Sequence, residues 1–184
     1  MIVLPELLSE LLDQVDRNRA AHLALDFAQH VLDTLQERIE EPVRDACREY
    51  LAAAHEAIDL GVAGPRLLKA HERLYKTAER WEGNRHLLAL GAGLAMQAVR
   101  VGCQRMMEEA RAHMLRSSLI TVQDIARESQ TEIGRWYAEQ IPDEGENRRQ
   151  AAREARWEET RWQVQHIIAT EPTPWKARTE RLSR

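Results

Sequence analysis

Apolar residues recur three and four positions apart along almost the whole chain, the spacing that lays one stripe of a helix against a core. Period-2 runs of β-branched and aromatic residues, the mark of strands, do not occur. The pattern predicts an all-α protein. Leu4, Leu7, Leu8, Leu11, Leu12 and Val15 mark helix one. Helix two starts near Asn18, a candidate N-cap, and carries Leu23, Ala24, Phe27, Ala28, Val31, Leu32 and Leu35 as far as the Glu40-Glu41-Pro42 corner. Pro42 suits the first position of helix three, whose face is Val43, Ala46, Cys47, Tyr50, Ala54, Ala57 and Ile58. Gly61 and Gly64-Pro65 then turn the chain.

Helix four carries Leu67, Leu68, His71, Leu74, Tyr75 and Ala78 and stops near Gly83. Helix five, at about 84–106, is apolar on all sides from Leu87 to Val101 and is expected at the centre of the bundle. Gly91, Ala92, Gly93 and Ala95 in it allow a neighbouring helix to approach closely. Ser117-Ser118 breaks the pattern. Thr121 caps helix six, with Asp124 in its first turn. Its stripe is Val122, Ile125, Ala126, Ser129, Ile133, Trp136, Tyr137 and Gln140. Pro142 to Gly145 form an acidic loop, and helix seven runs from about Glu146 to Thr170. Trp157, Thr160, Val164, Ile167 and Ile168 share one of its faces, and the other, dense in Arg and Glu, reads as solvated. The expected organisation is a single helical domain over 1–170, a bundle of about seven helices around the central one, and a loose basic tail over 171–184 with Trp175 as an anchor.

Composition narrows the class. With 43% hydrophobic and 30% charged residues in 184, a packed core is available and intrinsic disorder is excluded. Two isolated cysteines, Cys47 and Cys103, exclude a disulfide scaffold and read as small core residues. The longest uncharged run, Leu87 to Val99, is too short for a membrane span of about 18 residues. Met1 to Glu6 has neither a basic nor an apolar signal-peptide region, so a cytoplasmic protein is expected. The net charge of −4 offers no basic excess for nucleic acid or membrane. It is unevenly spread: residues 1–60 carry 13 acidic against 5 basic side chains, and residues 61–120 carry 5 against 10.

The sharpest local constellation is His22, Asp26 and His30, at i, i+4 and i+8 along one stripe of helix two. Two of these with His55 or His71 would be the material of a metal site. The two outer histidines stand about 12 Å apart by helix rise, so no single ion takes all three. The paired Glu-x-x-His signature of di-iron bundles is missing, and no metal or cofactor is assigned. The competing reading is a polar edge with Asp26 pairing a histidine. His71, His86, His113 and His166 are scattered over other segments. Asp26, Asp33, Glu37, Glu40 and Glu41 form an acidic stretch suited to docking a basic partner, or else an ordinary solvated face. Trp157 and Trp162 are five apart and cannot point the same way, so one of them, Trp157, is the candidate surface anchor. No nucleophile lies in an elbow motif, and burial argues against a reactive Cys103.

The order of the Ala20–Ala28 segment, Ala52-Ala53-Ala54-His55-Glu56-Ala57, the Ala89–Val99 run and Arg161-Trp162-Gln163 has a family likeness. Over about 20–168 this layout resembles the small all-helical immunity proteins found beside bacterial toxin genes. The resemblance implies a non-enzymatic protein that neutralises a toxin by binding; it assigns no functional residue. An acidic first third would suit blocking a basic nuclease site. The expected function is therefore a non-enzymatic protein-binding module, in its most specific form an immunity-like protein with a basic toxin as partner. Two alternatives stay open: a metal- or small-molecule-binding enzyme or sensor with a pocket beside helix five, and a structural subunit of a helical assembly.

Overall fold

The computed structural model describes residues 3–80, 89–110, 120–142 and 145–170. Among them are seven helices and no strand: α1 (Leu4–Gln14), α2 (Arg17–Thr34), α3 (Glu41–Leu60), α4 (Pro65–Glu79), α5 (Leu94–Glu109), α6 (Val122–Glu139) and α7 (Glu146–Thr170). A wider π-type turn at Ala89–Gly93 leads directly into α5. The expected Ser117-Ser118 break, the start of helix five at 84–88, part of the acidic loop and the 171–184 tail lie outside the described residues, as do His86, His113 and Trp175.

Local chemistry sets the helix ends. Asp16, not Asn18, caps α2: its Oδ1 accepts the Arg19 N–H at 2.9 Å, and a carboxylate there also meets the positive end of the helix dipole. α2 stops at Thr34, six residues before the expected corner. The chain turns there because Leu35 and Ile39 are both drawn into the core and the Arg44 guanidinium takes the Gln36 carbonyl at 2.8 Å. Glu37 and Glu40 therefore sit on the α2–α3 connection rather than on a helix face. Glu40 stands at the N-cap position of α3 without a side-chain capping hydrogen bond, Pro42 lies in the first turn, and Gly61 ends α3 with φ at +70°. Thr121 and Asp124 form a reciprocal capping box at the start of α6. The two Thr121 hydrogen bonds, to backbone N–H and hydroxyl, hold the Asp124 carboxyl below its usual range.

α2 lies in the middle of the bundle with α5, packed on α3, α5 and α6. Its Leu23, Ala24, Leu25, Phe27, Ala28 and Val31 have no exposed surface. α5 buries Leu94, Ala95, Ala98, Val99, Cys103 and Met107. The two helices touch at Gly102, where a Cβ would stand 2.6 Å from the Ala21 Cβ, so only glycine permits the approach. The expected close packing at the π turn takes the form of Gly91 against Ile39 and Val43. α4 covers the outer side of α3; α6 and α7 form an antiparallel pair capped by α1.

Two expected faces are rotated. Tyr137 and Gln140 of α6 are exposed, and so are Trp157 and Ile168 of α7. α7 instead buries Ala155, Glu159, Thr160, Gln163, Val164 and Ile167. Its inward face thus includes three polar side chains: Glu159 meets His30 of α2, Gln163 meets Gln130 and Ala126 of α6, and Thr160 bonds back to the Arg156 carbonyl of its own helix. Among the described residues no helix is long and apolar enough to cross a membrane.

Candidate functional site

The α2 stripe of His22, Asp26 and His30 faces two neighbours at once, and each residue is engaged. His22 turns Nδ1 to Nδ1 of His55 on α3 at 2.8 Å and sets Nε2 3.1 Å from Oδ1 of Asp59. Asp26 lies between helices: Oδ1 is 3.4 Å from His55 Nε2, and Oδ2 is 2.8 Å from Nε2 of His166 on α7. One turn on, His30 Nε2 stands 3.2 Å from Oε2 of Glu159, whose side chain is only 1% exposed. The result is a polar line in the order Asp59, His22, His55, Asp26 and His166, with the His30–Glu159 pair beside it, running from α3 across α2 to α7.

An aromatic stack binds the line together. Trp162 of α7 lies flat on His30, with ring centres 3.6 Å apart and planes within 7°. It also stacks beside His166 at 4.9 Å and 13°, and meets the edge of the buried Phe27 at 6.1 Å. An imidazolium on an indole face is favoured by the ring quadrupole. Beneath, Gln163 donates to Glu159 Oε1 at 3.0 Å and to the Ala126 carbonyl at 3.1 Å, and accepts from Gln130 at 2.8 Å. The buried Glu159 carboxylate is thereby matched on both oxygens, as a buried charge must be.

Beside this line, a groove of about 500 Å³ runs between α2, α6 and α7. His30, Trp162, Ile133 and Ala155 are among its lining residues, with Tyr137, Glu154 and Glu158 at its border. Tyr137 is 47% exposed. A smaller cleft of about 230 Å³ borders α5, lined by Arg17, Asn18, Ala21, Ile58, Gly102 and Arg105 among others; it takes in none of the candidate histidines.

The structure separates the sequence candidates into three places. His22, Asp26 and His30 join the polar line with His55. His71 does not: its Nδ1 meets the Tyr50 hydroxyl at 3.2 Å, across the α3–α4 contact. Among the described residues no group of three or more His, Cys, Asp or Glu converges as a metal site. The acidic stretch is divided as well. Asp26 is engaged by two histidines, and Asp33 pairs with Arg48 at 2.6 Å. Glu37, Glu40 and Glu41 are exposed around the α2–α3 turn, and Trp157 is exposed on α7. Burial pushes the Cys47 and Cys103 thiols up to about 12, against the thiolate a reactive cysteine needs.

Sequence reasoning missed Asp59, Glu159, Trp162 and His166 as members of the line. A signal for the last three was present: Glu159, Trp162, Gln163 and His166 recur at helical spacing on the shoulder of the Val164/Ile167 face. Comparisons with protein-family models, with curated proteins and with solved structures find no match for this chain.

Proposed function

We propose that this chain is a non-enzymatic protein-binding module that receives a basic partner protein against the groove between α2, α6 and α7. One observation carries the reading: a groove with an apolar and aromatic floor, Ile133, Ala155 and Trp162, has carboxylates at its border, Glu154 and Glu158, and a half-exposed Tyr137 beside it. A partner's lysine or arginine stem fits such a floor while its charge meets the rim. Tyrosine and tryptophan at the centre of a contact supply much of its energy, and acid at the rim supplies encounter rate and register. Glu158 pairs with Arg161 at 3.0 Å, and the exposure of both makes that pair easy to exchange.

The acids at Asp33, Glu37, Glu40 and Glu41 extend the same chemistry around the end of α2, and Trp157 supplies a second exposed aromatic on α7. In its most specific form the module is an immunity-like cytoplasmic protein whose partner is a basic toxin. The test is capture of the partner from the native cell extract, its identification by mass spectrometry, and titration of the purified pair. The expected result is a stoichiometric basic protein whose affinity falls at least tenfold with Tyr137→Ala and with Glu154→Lys/Glu158→Lys, and falls less with Asp33→Lys/Glu37→Lys. Full affinity in both groove variants would move the interface elsewhere, and turnover of a substrate abolished by one point substitution would replace binding with catalysis.

A further inference from the structure

The contact between His22 and His55 is unusual enough to count its protons. The ring centres are 5.1 Å apart while the Nδ1 atoms are 2.8 Å apart, which leaves only the two ring radii between centre and nitrogen. The rings therefore meet head to head, and their planes differ by only 15°. Each points its lone-pair direction straight at the other. Behind them, both Nε2 atoms face carboxylate oxygens, Asp59 at 3.1 Å and Asp26 at 3.4 Å. A ring nitrogen so placed keeps its proton, because a bare lone pair would oppose the anion. That fixes two protons on the pair. The 2.8 Å gap needs one more, on either Nδ1. Three protons on four nitrogens make one imidazolium and one neutral imidazole.

Neither neighbouring count fits. A fourth proton sets two N–H groups against each other at 2.8 Å. Two protons leave either two facing lone pairs or a lone pair against Asp26 or Asp59. A metal ion fits less well than a proton: two collinear metal–nitrogen bonds of about 2.0 Å each need some 4 Å between the nitrogens. We propose that His22 and His55 share one proton, and that this pair with Asp26 is a proton-gated clasp fastening α3 and α7 to α2, opened by a second proton.

Asp26 makes the clasp reach α7. Its other oxygen holds His166, so a change at His55 is felt by the helix that carries Trp162. The charged groups acting on the pair are Asp26 on α2 and Asp59 on α3; from α7 come His166, on Asp26, and Glu159, on His30 a turn away. Burial lowers the pKa of His55 below the ordinary 6.5; Asp26 opposes this, the His22 charge adds to it, and Asp59 opposes it. The protons of the two rings are therefore gained and lost by the pair as a unit. With the folded His55 value below the unfolded one, its contribution to stability is present above about 6.5, as long as the shared proton stays on the pair, and is lost as pH falls through the folded value.

The experiment is a pH titration of the full chain by nuclear magnetic resonance of the histidine ring nitrogens, with melting curves at pH 7 and pH 5. The expected result is two coupled steps for His22 and His55, with both Nε2 atoms protonated and a single proton at Nδ1 in between. The melting temperature should fall on acidification, and the fall should shrink by about 3 °C or more in His55→Gln. His71→Gln, whose partner is Tyr50, should keep the wild-type slope. Independent single-site titration of His22 and His55 would overturn the proposal even if the variants fold poorly. So would an unchanged slope in a well-folded His55→Gln, or stoichiometric Zn²⁺ binding abolished by His22→Asn, which would put an ion where we place a proton.

Discussion

α2 meets α5 and α7 by opposite means. Toward α5 the backbones close until Ala21 touches Gly102, and the side-chain atoms nearest that crossing are apolar, from Ala21 and Ile58. Toward α7 the backbones stand further apart, and the space is bridged by Asp26, His30, Glu159, Trp162 and His166. The first seam is held by excluded water and close packing, worth roughly 25 cal/mol for each Å² of apolar surface buried and indifferent to pH. The second exchanges hydrogen bonds to water for hydrogen bonds to protein, with a net gain of only about 1 kcal/mol each. What the polar seam adds is direction and a response to protons. One helix thus carries a face that makes the fold durable and a face that can be set.

Breaking the dry seam should have the largest effect. Gly102→Val places a Cβ 2.6 Å from the Ala21 Cβ, an atom fixed to its own backbone and unable to swing aside. Denaturant titration should show a loss of about 3 kcal/mol, the upper part of the range for an overpacked core. The pH dependence of what stability remains should match the wild type. A loss under 1 kcal/mol would mean that α2 and α5 slide apart easily, and the seam would not be the rigid member of the comparison.

Trp162→Ala tests the joint between the two regimes, because Trp162 touches Phe27 of the core as well as His30 and His166. The expected loss is about 2 kcal/mol, less than for a fully buried aromatic. Trp162→Phe should recover much of it by keeping a flat ring between the histidines. If phenylalanine does no better than alanine, stacking on the imidazoles is not what places this side chain.

The polar seam itself is sharpened by a double-mutant cycle. His30→Ala leaves the Glu159 carboxylate buried with Gln163 as its hydrogen-bond donor, a loss of about 2 kcal/mol for an under-satisfied buried charge. His30→Leu/Glu159→Leu removes charge and partner together and should lie within about 1 kcal/mol of wild type. A double variant worse than the single one would show the pair to be a net source of stability, and the contrast drawn between the seams would fail.

Most of the helical layout was legible because it follows from apolar period alone. Thr121 and Asp124 announced the start of α6, and Glu146 to Thr170 is the extent of α7 as the pattern has it. The misreadings came where a tertiary contact outweighs local sequence. Leu35 and Ile39 continue the α2 period on paper, yet the chain turns there to bury both. Trp157 continues the α7 stripe by residue type, yet the face turns to Glu159 and Gln163. A buried carboxylate cannot be told from a solvated one until its partner is known, and Glu159 depends on a histidine 129 positions earlier in the chain. The i, i+4, i+8 spacing put His22, Asp26 and His30 on one stripe; it said nothing of which helix each would meet.

The two buried cysteines give the smallest effect and the most local reading. Cys103 lies one residue from the Ala21–Gly102 crossing, and Cys47 is buried on α3. With both thiols raised from 9.0 to about 12, at pH 8 the folded chain holds about a thousandfold less thiolate than the unfolded one. Alkylation by iodoacetamide at pH 8 should therefore proceed only through opening of the structure. Gly102→Val should speed the labelling of Cys103 strongly. His30→Ala should leave that rate close to wild type, because the polar seam can loosen while the dry one stays shut. Equal acceleration in both variants would mean that α2 leaves α5 and α7 in one event, and that a change in the protons on the polar face is felt throughout the core.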